Sequence, residues 1–241
     1  MNKFWELTPI KFLLLTITSH ISLAWLLFFG SIYNVIATIL IAIFILLFVS
    51  VPFSHRYLSH KSWNPPDWYK TLASILTVFS FTGSTISRTV VHRQHHAFVD
   101  ESRDPHSPFL VHWLKIYFPY FNQTKINLAL ARDLTSDILH RNIHQYYLLI
   151  VLVVFLLLIF TFGLNWALAI AIAPGALCWM NVCILNTIGH QEKGGSNSLL
   201  LSFLTLGEGN HKYHHEHPND PNPGQGSFDP AYTVIKIFNK K

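Results

Sequence analysis

No Asp, Glu, Lys or Arg interrupts the chain between Phe12 and His55, or again between Asn142 and Gln191. A helix needs about 20 apolar residues to cross a bilayer, so each charge-free run has room for a hairpin of two spans. Gly30-Ser31 with Asn34 breaks the first run and Gly163-Leu164-Asn165 the second, using residue types that end helices. Only 12% of the chain is charged, against about 25% in an ordinary soluble domain. The expectation is an all-α membrane protein, one domain over residues 1–241. Its four transmembrane helices lie near residues 10–29, 32–52, 147–163 and 166–187.

Every one of the 17 Lys and Arg falls in residues 1–11, 56–141 or 192–241. Two hairpins bring those segments to one side, and basic residues mark the cytoplasmic side. Both termini and the middle segment are therefore expected in the cytoplasm, on an integral, multi-pass protein. The net charge of +5 serves topology signalling there, or draws anionic lipid headgroups or an acidic partner; no nucleic-acid partner is expected. Lys3 and Lys11 ahead of an apolar run have the look of a signal peptide. No small-x-small cleavage site follows, and losing the first span would leave an odd count, so the segment is read as a retained helix. Cys178 and Cys183 fall in the fourth span and read as reduced core residues. Asn122-Gln123-Thr124 matches a glycosylation sequon on the side where it would not be used.

The uncharged stretch Thr71 to Ser87 reads as a helix buried in protein or lying near the interface. Crossing would carry the second histidine cluster away from the first. Trp63, Pro65, Pro66 and Trp68 read as an interfacial turn. Trp113, Tyr117, Phe118, Tyr120 and Phe121 form an aromatic series that suits packing or membrane-surface contact, with the lining of an acyl tunnel as the sharper alternative. Pro218 to Gly226 is a loop.

Three histidine clusters stand just outside the greasy runs: His55 with His60, His92 with His95 and His96, and His211 with His214 and His215. One transition metal takes about four to six ligands, so this number points to two metals side by side. On a helix, residues at i, i+3 and i+4 project from one face, which suits the second and third clusters. His55 and His60 are five apart and would splay by roughly 140° on an ideal helix. Asn186 and His190, at i and i+4, share a face that emerges near the same boundary. His20, His112, His140, His144 and His217 read as structural or solvated, His20 bonding a neighbouring helix. No Cys lies near the clusters, which disfavours structural zinc. A metal pair beside a membrane implies a lipid chain, whose unactivated C–H bonds call for iron and dioxygen. That reasoning reaches a di-iron oxygenase or desaturase. A metal transporter is the contrary class, but it would place ligands near the bilayer midplane.

His55-Arg56-x-x-Ser59-His60, His92-Arg93-x-His95-His96 and Gly207-Glu208-Gly209-Asn210-His211-x-x-His214-His215-x-x-Pro218 resemble the boxes of the membrane acyl-CoA desaturases of the stearoyl-CoA, delta-9 type. Asp104-Pro105-His106-Ser107-Pro108 and the Asn186-to-His190 spacing resemble that family too. The resemblance implies two spanning hairpins under a cytoplasmic helical cap that holds two irons. It implies nine ligands, His55, His60, His92, His95, His96, His190, His211, His214 and His215, without dividing them between the irons. Asn186 would reach one iron through a water, while His106, Asp104 and Glu208 would orient ligands. The implied reaction consumes dioxygen and an electron pair from a separate ferredoxin or cytochrome b5-type carrier, since no fused carrier domain is expected. The implied substrate is a fatty acyl thioester, acyl-CoA first, with acyl carrier protein or lipid-linked chains as alternatives, and membrane lipids surround the spans. The H-R-x-x-S-H form favours desaturation over the hydroxylase alternative. Arg88 departs from the pattern: the family usually places Trp four residues before the second box, so substrate class is the property this change touches. The approach to the first box, Val49 to Ser54, lacks the usual glycines, the chain is shorter than many members, and its tail ends soon after Phe228-Asp229-Pro230.

Overall fold

A computed structural model describes residues 6–119 and 124–240. Lys3, Tyr120, Phe121, Asn122 and Gln123, which entered the sequence reading, lie outside the described residues. The described residues are helical: α1 (Pro9–Phe29), α2 (Ile32–Ser59), α3 (Asp67–Leu76), α4 (Thr85–Ala97), α5 (Trp113–Tyr117), α6 (Arg132–Ser136), α7 (Ile138–Gln145), α8 (Tyr147–Phe162), α9 (Leu164–Ile188), α10 (Leu199–Thr205), α11 (His211–Glu216) and α12 (Pro230–Phe238).

Three of these, α1, α2 and α9, are each long and apolar enough to cross a membrane. Helix α1 is inside-out by the standards of water. Thr16, Ser19 and Ser22 are buried while Ile21 and Phe28 are 64% and 81% exposed. The buried hydroxyls bond carbonyls of their own helix, Thr16 to Phe12 at 3.0 Å and Ser22 to Thr18 at 2.8 Å. Small residues then allow close packing of α1 on α9, where Ala169 and Ala173 are fully buried. Apolar side chains facing outward need a lipid solvent.

The third expected span, 147–163, differs from a simple helix. Tyr147–Phe162 has 16 residues, or about 24 Å of rise, short of a hydrocarbon core of about 30 Å. It reaches spanning length only together with α7, across a 67° bend. Gly163 at φ +82 makes the turn into α9, and Trp25 donates to Asn165 beside it at 3.1 Å.

Helix α2 runs past residue 52 because its second half unwinds into a π-helix, from Leu46 to Ser59. Pro52 lies inside it and has no N–H for the preceding turn. Beside it the Phe48 carbonyl accepts from the Tyr69 hydroxyl, and the Pro52 carbonyl from Trp63 Nε1 at 2.7 Å. Trp63 is thus a core residue, only 6% exposed, where an interfacial anchor was expected; Trp68, at 56%, keeps the exposed position.

Thr71 to Ser87 is not one helix. It breaks at Phe81 and Gly83, with φ of +50 and +112, and Ser84 and Ser87 form a capping box that starts α4. A Cβ at Gly83 would meet the Ser87 hydroxyl at 2.9 Å, so glycine suits the reversal twice over. The turn lays α4 against the π segment of α2. Phe53, Leu58, Trp63, Tyr69, Ile86 and Val90, with Val234 and Ile235 of α12, form the apolar core under both.

Candidate metal centre

All nine histidines of the sequence reading converge. His55, His60, His92, His96 and His214 form one set, and His95, His190, His211 and His215 a second. Within each set the nitrogens that could bind a metal lie within 4.8 Å of one another.

Helix geometry explains the division. Neighbouring positions on an α-helix point about 100° apart. On α4, His92 and His96 therefore serve the first set and His95 the second. On α11, His214 serves the first set and His211 and His215 the second. The sets adjoin where His96 stacks on His215, ring centres 4.3 Å apart. The π-helix accounts for the first box. Its i→i+5 pattern stacks residues five apart, and the rings of His55 and His60 stand 5.1 Å apart. Arg93 holds the end of that helix by donating to the Leu58 and Ser59 carbonyls while forking onto Asp133 at 2.8 and 2.9 Å.

The nitrogens that face one another are all Nε2. Separations are 2.9 Å for His55 and His214, 2.8 Å for His60 and His92, and 3.2 Å for His96 and His214. In the second set they are 3.0 Å for His190 and His211, 3.1 Å for His211 and His215, and 3.3 Å for His95 and His215. Carboxylates sit behind three rings. Glu208 pairs with His55 Nδ1, Asp104 with His95 Nδ1 at 2.8 Å and Asp100 with His190 Nδ1 at 3.3 Å. A carboxylate accepting from Nδ1–H leaves the Nε2 lone pair aimed at the centre.

Electrostatics agrees. Burial first, then mutual repulsion, pushes His60 down to about 2. Burial and the neighbouring imidazoles take His215 to about 3 and hold His92, His95, His96, His211 and His214 well below the ordinary range. Neutral imidazoles with converging lone pairs suit a cation and little else. Burial opposes ionisation of Glu208, yet His55 and Arg56 outweigh it and hold the carboxyl down at about 2. The all-nitrogen donor set without thiolate fits iron among other borderline metals.

Asp104 and His106 act from behind. Asp104 accepts the backbone N–H groups of Asp100 and His106 at 2.9 and 3.0 Å. His106 tilts over His95 with ring centres 4.3 Å apart and groups with His95 and Asp104, not with either set of four or five. Sequence reasoning missed Asp100, which holds His190 and also accepts from Ser107 and the Gly194 N–H at 2.6 and 2.8 Å. The available signal was a carboxylate four residues beyond the second box. The remaining histidines stay outside both sets. His20 bonds the Tyr117 hydroxyl, His144 bonds Ser84 at 2.7 Å, and His217 stacks on Tyr213. Cys178 and Cys183 are free and buried.

Beside the first set lies a cavity of about 770 Å³. His55, His92, His106 and Asn186 line it together with apolar residues such as Val51, Ile86 and Ile116. Ile116 of α5 lines this cavity, while Trp113 is exposed.

No protein-family model matches the chain. The chain is 26% identical over 203 residues to delta-9 acyl-lipid desaturase 2 of Arabidopsis thaliana, covering 76% of this chain and 65% of that one. It is 28% identical over 183 residues to an sn-2 palmitoyl-lipid 9-desaturase of Nostoc sp. (strain 36), covering 68% and 63%. An acyl-CoA 5-desaturase of Anemone leveillei is 27% identical over 199 residues, covering 76% and 62%. The chain belongs to the fatty acid desaturase family. It spans less than two thirds of the length of these relatives.

The carboxylates give a direct test. Asp100→Asn and Asp104→Asn are each expected to weaken metal retention about 10–100-fold, read by competition with a chelator. Retention equal to the unaltered protein would remove that carboxylate from the centre.

Proposed function

We propose that the protein is an oxygen-dependent fatty acyl desaturase that inserts a cis double bond, at the delta-9 position, into a saturated chain. The observation that carries this reading is the pair of adjoining all-imidazole sets beside an apolar cavity. The nine histidines are the proposed ligands of two irons. Irons held there would supply the power to oxidise unactivated C–H bonds, using dioxygen and an external electron pair.

The chain's own residues do the rest. The cavity excludes water and holds the acyl chain bent at the target carbons beside His55 and His92. Asn186 is proposed to reach one metal through a water. The carboxylates hold the imidazoles in one tautomer through the cycle. Electrons come from a separate carrier of ferredoxin or cytochrome b5 type. The boxes and both termini face the cytoplasm, by the distribution of basic residues. The acyl head is a CoA thioester by the resemblance; a lipid-linked or CoA-linked chain appears in the relatives' names.

Expression in a host without its own desaturase, with a matching electron donor, tests this. Mass spectrometry should find a new cis bond at one position, absent with His95→Ala. A hydroxylated chain would instead make the protein an oxygenase. Neither product, with zinc bound even after iron-replete expression, would refute the reading.

A further inference from the structure

One cation inside the cavity is not used by the metal centre. Arg88 lines the same space as His55, His92 and His106. Its guanidinium has no hydrogen bond or ion pair among the described residues. The nearby carboxylate, Glu208, is already committed to His55 and Arg56. Burial lowers the Arg88 guanidinium only to about 10, so it stays charged at neutral pH. A cation without a partner among apolar walls is costly, and guanidinium forks onto carboxylate or phosphate oxygens in pairs.

A second polar group waits in the same cavity. Ser50 Oγ is buried without a hydrogen-bond partner and lines the cavity wall. Arg88 lies four residues before His92 on α4, on the same face and about 6 Å along the axis.

We propose that Arg88 receives an oxyanion of the substrate head, carboxylate or phosphate, inside the acyl cavity, and so fixes how far the chain reaches past the metals. This rests on the acyl reading above and names the substrate class within it. The neutral carbonyl of a thioester or ester would by itself leave the charge unanswered, whereas a phosphate or carboxylate of the head would meet it. Arg88 is then a specificity residue, and the distance from oxyanion to metal sets where the chain is oxidised.

The test is binding of tritiated hexadecanoate to the purified, immobilised full chain, with hexadecyl phosphate, lysophosphatidate and 1-hexadecanol as competitors. Arg88→Leu should weaken hexadecanoate at least tenfold and leave 1-hexadecanol unchanged. Arg88→Lys, which keeps the charge, should recover most of the affinity and so controls for packing. Stronger competition by lysophosphatidate than by unlabelled hexadecanoate would identify a lipid phosphate as the source; the reverse order would identify a free carboxylate. Equal binding of acid and alcohol, unaltered by Arg88→Leu, would overturn the inference and leave the acyl reading standing. No binding of any probe, the alcohol included, would overturn both.

Discussion

His211→Ala is expected to bring desaturation below detection and to reduce metal content from two ions per chain toward one. His211 is central to the smaller set, its Nε2 3.0 Å from that of His190 and 3.1 Å from that of His215. Its removal leaves three imidazoles there, whereas His214→Ala leaves four in the larger set. The two substitutions should therefore differ. Both end turnover, because the proposed chemistry needs both metals, but His211→Ala should lose metal at lower chelator concentration. Altering an orienting group alone costs about 10–100-fold in affinity, and losing a ligand from a set of four should exceed that. The site has no slack to compensate: a Cβ on Gly189 would stand 2.9 Å from His211 Cδ2, so the neighbouring backbone already touches the ring. His217→Ala is the control, since His217 lies exposed against Tyr213. Metal analysis of iron-loaded protein decides the matter; two ions and normal turnover in His211→Ala would remove that residue from the centre.

The spacing of residues on a helix made much of this legible beforehand. The patterns at 92, 95, 96 and at 211, 214, 215 need only the period of an α-helix to become one-sided clusters, and both lie on such helices. What that period could not supply was the first box. His55 and His60 come together because α2 widens into a π-helix around Pro52, and nothing local in Val49 to Ser54 announces that change of period. Tertiary partners, Tyr69 and Trp63, donate to the Phe48 and Pro52 carbonyls in that segment. The same dependence on distant residues hid the inward turn of Trp63. It also hid the break at Phe81, whose ring packs where a Cβ on Gly175 would come within 2.6 Å. Asp100 escaped notice because its partner, His190, is 90 positions away. Charge-free runs report the lipid solvent, since every residue in a span must satisfy it, whereas pairings across the cap depend on contacts that no single segment contains.

Arg56→Leu is expected to destabilise the folded protein by about 3–5 kcal/mol, the usual result of leaving buried charge without its partner. Arg56 is fully buried. Its guanidinium meets Glu208 at 2.8 Å and Asp229 at 2.9 Å and also donates to the Pro221 and Gly207 carbonyls. One side chain thus joins the π segment, the approach to the third box and the tail before α12. Leucine would fill much of the volume but leave two carboxylates without their counter-ion. Glu208 shows the sign of the pH effect. Its pKa falls from an ordinary value near 4.5 to about 2 on folding, against the pull of burial, through His55 and Arg56. A depressed carboxyl stabilises the fold above its unfolded pKa, and that contribution disappears as pH drops through about 2. Without Arg56 the depression shrinks, so the variant should lose stability at a higher pH than the unaltered protein during acid titration. A protonated Glu208 would also release His55 Nδ1, and metal affinity should decline with stability. Arg56→Lys retains a point charge but not the fork, and should fall between the two. Thermal unfolding in detergent across a pH series reads all three proteins, and an Arg56→Leu midpoint equal to that of the unaltered protein at every pH would show that this buried triad contributes nothing to the fold.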